Sequence, residues 1–191
     1  MISSPNMISS PKVILYIAMS RDGFIAGADG QLDFLDPYQV EGEDYGYSEF
    51  MHNIGSIIVG RKTYETVLGM GYPYHPDLQV IVASRSGMKS EQKNMAYYGG
   101  LWRPLIDQLK ATQDKNIYCD GGAELARSLI KEQLIDEIIL SVIPVYLYQG
   151  TLLFEQGLVP SDFELMSRKT FQSGLMQCHY QHRLTYVEQI R

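Results

Sequence analysis

The 191-residue sequence predicts an α/β fold: a mainly parallel central sheet, closed by an antiparallel C-terminal hairpin. Between residues 12 and 148, short β-branched runs alternate with stretches of helical periodicity, the pattern of parallel strands joined by helices. Near the C-terminus, two alternating runs flank Gln172-Ser173-Gly174, as in a hairpin. Two strands end in glycine immediately before a helix, which is where an α/β sheet holds its ligands.

"KVILYIAMS" (12–20) is an apolar run of strand length and reads as a buried first strand. "RDGFIAGADGQLDFLDP" (21–37) is punctuated by Asp-Gly pairs and reads as loop. Over 44–54, Tyr47, Phe50, Met51 and Ile54 fall on one helix face. "SIIVG" (56–60) is a short strand, and 61–70 follows as a helix with Tyr64, Val67 and Leu68 inward. Two prolines keep 71–77 from being helical, and 78–84 is another strand. A helix spans about 102–112, with Pro104 in its first turn, where no N–H is missed. A strand at 116–120 leads through Gly121-Gly122 into a helix at 122–133. "DEIILSVIPVYLY" (136–148) is a long strand that Pro144 places at an edge or bulge. The hairpin occupies 163–186 and sets Met176, Cys178 and Tyr180 on one face.

Composition is that of a globular chain, 45% hydrophobic and 20% charged. A net charge of −6 argues against a nucleic-acid partner, which needs a basic face. Cys119 and Cys178 form no CxxC pair, so a disulfide framework or zinc site is not expected, no metal is, and a reducing, cytoplasmic location is. No apolar run reaches the length of a membrane span. "MISSPNMISSPK" repeats six residues without an apolar core. It reads as a disordered leader over 1–11 before a single domain at 12–191.

Three strand-end loops carry the chemistry. Gly60-Arg61-Lys62-Thr63 and Gly121-Gly122-Ala123-Glu124 each place glycine at a helix start. There, unpaired N–H groups and the helix dipole favour phosphate. Two such starts suit the two phosphates of a pyrophosphate. Ser84-Arg85-Ser86, after the strand at 78–84, offers hydroxyls and a guanidinium for a phosphate on a ribose, the mark of NADP over NAD. Each loop alone is also an ordinary turn; all three at successive strand ends point to a dinucleotide. Other singled-out residues read as structural. His179 and His182 fall on opposite strand faces, and Cys119 is a small buried side chain.

The motifs "SRDGFIAG", "VGRKTYE", "VIVASRS", "IYCDGGAEL" and "DEIILSVIPVYLYQGTLLF" occur in the order and spacing of a known family. In them the chain, from about 12 to 187, resembles the dihydrofolate reductase-like superfamily. It is most similar to the reductase domain of the riboflavin-biosynthesis deaminase/reductase and its stand-alone relatives. The resemblance implies a dihydrofolate reductase-like three-layer fold and NADPH as cofactor. It also implies a cis Gly121–Gly122 bond against the cofactor phosphates. Gly60, Arg61, Lys62 and Thr63 would then meet the pyrophosphate and adenosine side, and Ser84, Arg85 and Ser86 the 2′-phosphate. Gly121, Gly122, Ala123 and Glu124 would cradle the other phosphate face, with Ala18, Ile25 and Ala26 lining the nicotinamide pocket. On the substrate side it implies Asp44, Phe34 and Ser141, with Asp44 as the candidate catalytic carboxylate; Asp44 also reads as a helix-start residue.

The expected activity is an NADPH-dependent reduction of a small pyrimidine- or pterin-like molecule. The model for it is the reductase acting on 5-amino-6-(5-phosphoribosylamino)uracil. A pterin reductase and a non-catalytic NADP(H)-binding module are the alternatives, and an apolar strand surface beyond what one sheet covers predicts a homodimer. Two features depart from the riboflavin enzyme. The zinc-deaminase signature is absent, and residues 29–49 carry seven carboxylates with no Lys or Arg, a poor setting for a substrate phosphate.

Overall fold

A computed structural model describes residues 10–71, 74–85, 90, 92–155 and 157–184. Its frame is an eight-stranded sheet, whose β1, β3, β4 and β7 form where the sequence concentrates β-branched side chains. The elements are β1 (Val13–Ser20), β2 (Phe24–Ala26), a 3-10 helix (Asp33–Tyr38), α1 (Tyr47–His52), β3 (Ile54–Gly60) and α2 (Arg61–Gly69). They continue with β4 (Gln79–Ala83), β5 (Met95–Tyr98), α3 (Trp102–Thr112), β6 (Asn116–Gly121), α4 (Ala123–Lys131) and β7 (Glu137–Ile143). The chain closes through β8 (Thr151–Leu152), β9 (Phe163–Thr170) and β10 (Met176–His182). The sheet order is β5-β4-β3-β6-β1-β7-β10-β9, and β2 pairs with β8 in a separate ladder. Every pairing from β5 to β7 is parallel; β10 runs antiparallel to both β7 and β9.

Alternation along the strands splits the core into two layers. Val13, Leu15, Ile58, Ile117, Cys119, Ile138 and Leu140 face α3 and α4, where Ile106, Leu109, Ala126 and Leu129 are buried against them. Ile57, Val59, Val80, Val82 and Tyr118 face the other way, onto α1 and α2, and meet Tyr64, Phe50 and Met51. Central parallel strands covered on both faces explain the continuous apolar runs.

The structure departs from the sequence reading in five places. The loop expected over 21–37 contains β2 and the 3-10 helix, which the turn residues obscured. Ile54 does not close the α1 face; it opens β3, because Asn53 ends the helix. Leu68 is 40% exposed, at the outer side of α2. "MAYY" (95–98) forms an additional edge strand, β5. The strand expected over 136–148 stops at Ile143, before Pro144, and lies in the middle of the sheet, not at an edge. Of the expected leader, residues 1–9 lie outside the described residues, and Pro11 is already buried. Among the described residues, no helix is long and apolar enough to cross a membrane.

Candidate functional site

β3 and β6 are parallel neighbours, so their C-terminal ends come out side by side. Glycine is required at that meeting. A Cβ on Gly60 would sit 3.2 Å from the Gly121 carbonyl oxygen and 3.3 Å from the Gly122 nitrogen. Gly121 has φ +85°, which L side chains rarely adopt, and Gly121–Gly122 is a cis peptide, as the resemblance implied. The Gly122 N–H donates to Thr63 Oγ1 at 3.0 Å, tying the second loop to the first turn of α2. α2 and α4 therefore begin together, and neither start has a side-chain cap. Their first-turn N–H groups are the donors a pyrophosphate needs. The first turn of α2 carries Arg61 and Lys62 and no acid. Among the described residues Arg61 forms only an exposed pair with Glu65, at 3.2 Å. Glu124 is exposed in the first turn of α4, so it offers a phosphate its N–H and not its carboxylate.

Ala83, the last residue of β4, pairs with Gly60, which places Ser84 and Arg85 one strand away from the glycine junction. The Ser84 N–H donates to the Tyr98 carbonyl at 2.8 Å, and Arg85 is exposed. Ser86 lies outside the described residues.

A cleft of about 550 Å³ opens beside this junction, lined from the sheet by Tyr118 of β6, Tyr16, Ile17 and Ala18 of β1, and Ser141 and Ile143 of β7. Ile17 joins the two: it lines the cleft, and its Cδ1 is the atom a Cβ on Gly121 would meet, at 3.0 Å. Tyr16, Tyr38, Tyr47 and Tyr118 make aromatic walls. Ala18 and Ser141 lie at the centre of the sheet, and the register Ala18–Ser141–Gln177 runs across three strands. The Gln177 amide nitrogen stands within 3.0 Å of Tyr16 Oη, 3.1 Å of the Tyr45 carbonyl and 3.3 Å of Ser141 Oγ. It has two hydrogens for three acceptors. Glu41, Glu43 and Asp44 form the rim.

Of the expected substrate residues, Asp44 and Ser141 line this cleft together with Ala18, while Phe34 packs against the Ile143, Phe171 and Leu175 cluster and its neighbour Leu35 faces the cleft. Asp44 also caps α1: its two carboxylate oxygens accept the Gly46 and Ser48 N–H groups, each at 2.9 Å. Hydrogen bonding from Ser48 and Gly46 holds its pKa below the ordinary value. Ile25 packs on the main core, and Ala26 pairs with Thr151 in the β2–β8 ladder; neither lines the cleft.

Among the described residues one carboxylate has a resolved upward pKa shift, and the sequence reading passed it over. Asp120 stands directly before Gly121, on the face of β6 that carries Tyr118, and accepts hydrogen bonds from the phenols of Tyr118 and Tyr74. Burial raises its pKa, outweighing those two bonds and the nearby His75. Burial, with Asp120 next, raises the Tyr118 phenol far above its usual value. An acid immediately before a glycine pair at a strand end was the available signal. Its two phenol partners come from 46 residues upstream and two residues back along the same strand, and only the first needed the fold.

A three-layer sheet with its last pair antiparallel is the dihydrofolate reductase-like fold class. Residues 11–177 match the family described as the RibD C-terminal domain, and the chain belongs to that family. It is 38% identical over 171 residues to the uncharacterized protein YwjB of Bacillus subtilis strain 168, covering 88% of this chain and 97% of that protein. It is 30% identical to YyaP, an uncharacterized protein of the same organism, covering 92% and 97%. A crystal structure named "putative riboflavin biosynthesis protein", from Shewanella sp. PV-4, superposes with a TM-score of 0.79 at 27% identity, covering 90% of this chain and 98% of that one. Dihydrofolate reductase from Enterococcus faecalis, complexed with NADP(H) and RAB-propyl, superposes with a TM-score of 0.64 at 18% identity over 90% and 96%, a likeness of fold. Family and fold together support a reductase-like function.

Proposed function

We propose that the chain is an NADPH-dependent reductase acting on a pyrimidine- or pterin-like molecule held in the cleft. The observation that carries this is the convergence of two uncapped helix starts on a glycine junction that Ile17 joins to an aromatic cleft. Thr63 and Ala123 would hold the pyrophosphate by backbone N–H groups beside the bare backbone of Gly60, Gly121 and Gly122, with Arg61, Lys62 and Glu124 at its margin and Ser84, Arg85 and Ser86 on the 2′-phosphate. Bound there, NADPH supplies a hydride to an electrophilic C=N or C=O carbon.

The chain's own part is orientation and a proton. Tyr16, Tyr47 and Tyr118 offer flat surfaces against which a heterocycle lies. The atom next to the reduced carbon gains a proton, and Asp44 is a poor source because its capping bonds keep it ionised. Asp120 is better placed: burial raises its pKa, and it is hydrogen-bonded to the phenol of Tyr118, a residue that lines the cleft, so a proton held on Asp120 would reach the substrate through that phenol. The test is titration of wild type and Arg85→Ala with NADPH and NADH. A charged hydrogen bond to phosphate contributes about 1.5–3 kcal/mol. The variant is therefore expected to lose about ten- to a hundredfold in NADPH affinity and almost nothing for NADH. Equal loss for both, or a wild type that prefers NADH, overturns the reading. Two further parts of the reading stand beside it. The protein works as a homodimer, and Cys119 and Cys178, both buried and free, support the reducing cytoplasm.

A further inference from the structure

From the cleft's charge and shape we infer that its substrate is a flat heterocycle, neutral or cationic, that carries no phosphate. This rests on the cleft being the substrate site of the proposed reductase. The inference parts from the phosphoribosyl compound that the family resemblance suggested.

Three observations carry it. Among the described residues no Lys, Arg or His lines the cleft, so its described lining has no cation to neutralise a phosphate. The rim is acidic: Glu41, Glu43 and Asp44 are exposed, and none of them is paired with a cation among the described residues. Hydrogen bonds do not cancel their charge. Glu43 accepts the Tyr45 N–H at 2.8 Å, and Asp44 caps α1 through bonds from Ser48 and Gly46 that hold its pKa below the ordinary value. Two basic side chains stand beside the cleft without lining it: His75, whose Nε2 is 3.4 Å from Tyr47 Oη and whose pKa burial lowers, and Lys169. Lys169 belongs to a neighbouring recess that shares only Tyr16 and Tyr45 with the cleft, and its ammonium lies 4.3 Å from the centre of the Phe171 ring.

The cleft's interior supplies the positive half of the argument. Ser141, 7% exposed, accepts from Gln177, and among the described residues its own O–H has no acceptor. Gln177 is fixed by the Tyr45 carbonyl with its nitrogen inward, so it gives Ser141 no acceptor in return. A buried hydroxyl proton beside aromatic walls fits a ring nitrogen or carbonyl oxygen of a planar ligand. An acidic mouth then attracts an amino-substituted, protonatable ring and repels a dianion.

The test uses one matched pair of probes, 2,4-diamino-6-hydroxymethylpteridine and its phosphate monoester. Each is titrated calorimetrically into the NADPH-saturated full chain at low and at physiological salt. Each exposed carboxylate within a Debye length disfavours a phosphate by a few-fold, and three act together. The alcohol is therefore expected to bind at least tenfold more tightly than its phosphate. That gap should narrow to about threefold in Glu41→Gln/Glu43→Gln and also shrink at the higher salt. A phosphate ester that binds as well as the alcohol overturns the inference. So does a gap that neither salt nor the double substitution changes, and so does the absence of binding by either probe. NADPH binding is titrated first on the same sample. Its failure would count against the proposed reductase, whereas the pair of probes reports on the cleft.

Discussion

Asp120 carries a carboxylate that two phenols, Tyr74 and Tyr118, shut away from water. Because burial lifts its folded-state pKa above the ordinary 3.8, the native state binds more protons than the unfolded chain once the pH passes that value. Stability then falls as pH rises toward the folded pKa, and above it the whole cost is present. Removing the charge without changing the shape reverses this. Asp120→Asn is expected to melt no lower than wild type at pH 4 and higher at pH 7, by about 2–4 °C for each kcal/mol regained. If Asp120 also feeds the proton, turnover should drop about a hundredfold or more in the same variant. Melting curves across pH and NADPH oxidation on one preparation read both. A variant that melts several degrees lower at pH 7 while keeping its turnover would show the carboxylate to be merely structural.

At the level of elements, the opposite end of the sheet is held by charge. Glu137, first residue of β7, takes Lys12 Nζ at 2.5 Å on one oxygen and His179 Nε2 at 3.0 Å on the other. It thereby links the approach to β1 with β7 and β10. Burial tends to raise the Glu137 pKa, but bonds from His179 and Lys12 outweigh it and hold the group below its usual 4.5. A depressed acid stabilises the fold above its unfolded pKa, and that contribution disappears as pH falls through the folded value. Glu137→Gln should cost about 1–3 kcal/mol at pH 7, mostly through Lys12, since the His179 arm is more solvent-exposed. Urea melts should show the difference from wild type shrinking below about pH 4.5. A difference as large at pH 3 as at pH 7 would mean that packing, not charge, holds this corner.

For the whole molecule, the open question is what covers the end of the sheet. The apolar length of β7, which first pointed to a dimer, is satisfied internally: Ile138, Leu140 and Ile143 are buried between β1 and β10. The remaining argument moves to β9, the last strand. All but one of its residues are exposed, Leu165 and Met166 among them at 48% and 43%. An edge strand with free backbone groups and exposed apolar side chains is a template for pairing. Light scattering at micromolar concentration is expected to give twice the 21.7 kDa chain mass, and replacement of Leu165 and Met166 by Lys to return it to one. A wild type with the mass of a single chain overturns the dimer.

β1, β3, β4 and β6 and the helices after β3 and β6 were legible in the sequence because buried parallel strands are continuous apolar runs, and glycine marks where each hands over to a helix. Gly60, Gly121 and Gly122 were legible for the same local reason: a Cβ on Gly60 would crowd backbone, Gly121 has φ +85°, and a Cβ on Gly122 would press on Thr63 Oγ1. β5 and β2 were not, since short partly exposed strands carry little periodicity and owe their form to a neighbour's open edge. The place of β7 was hidden as well, because Pro144 reports where a strand stops and not which strands flank it. The acidity of residues 29–49 could be read from the chain, but that Glu41, Glu43 and Asp44 rim the cleft could not. Nor could the union of Tyr74 with Asp120 or of Gln177 with Ser141, residues 46 and 36 positions apart. Local sequence determines the backbone's path because turns and periodicity act over a few residues. The site's proton balance and charge arise from side chains that only the folded sheet brings within hydrogen-bonding distance.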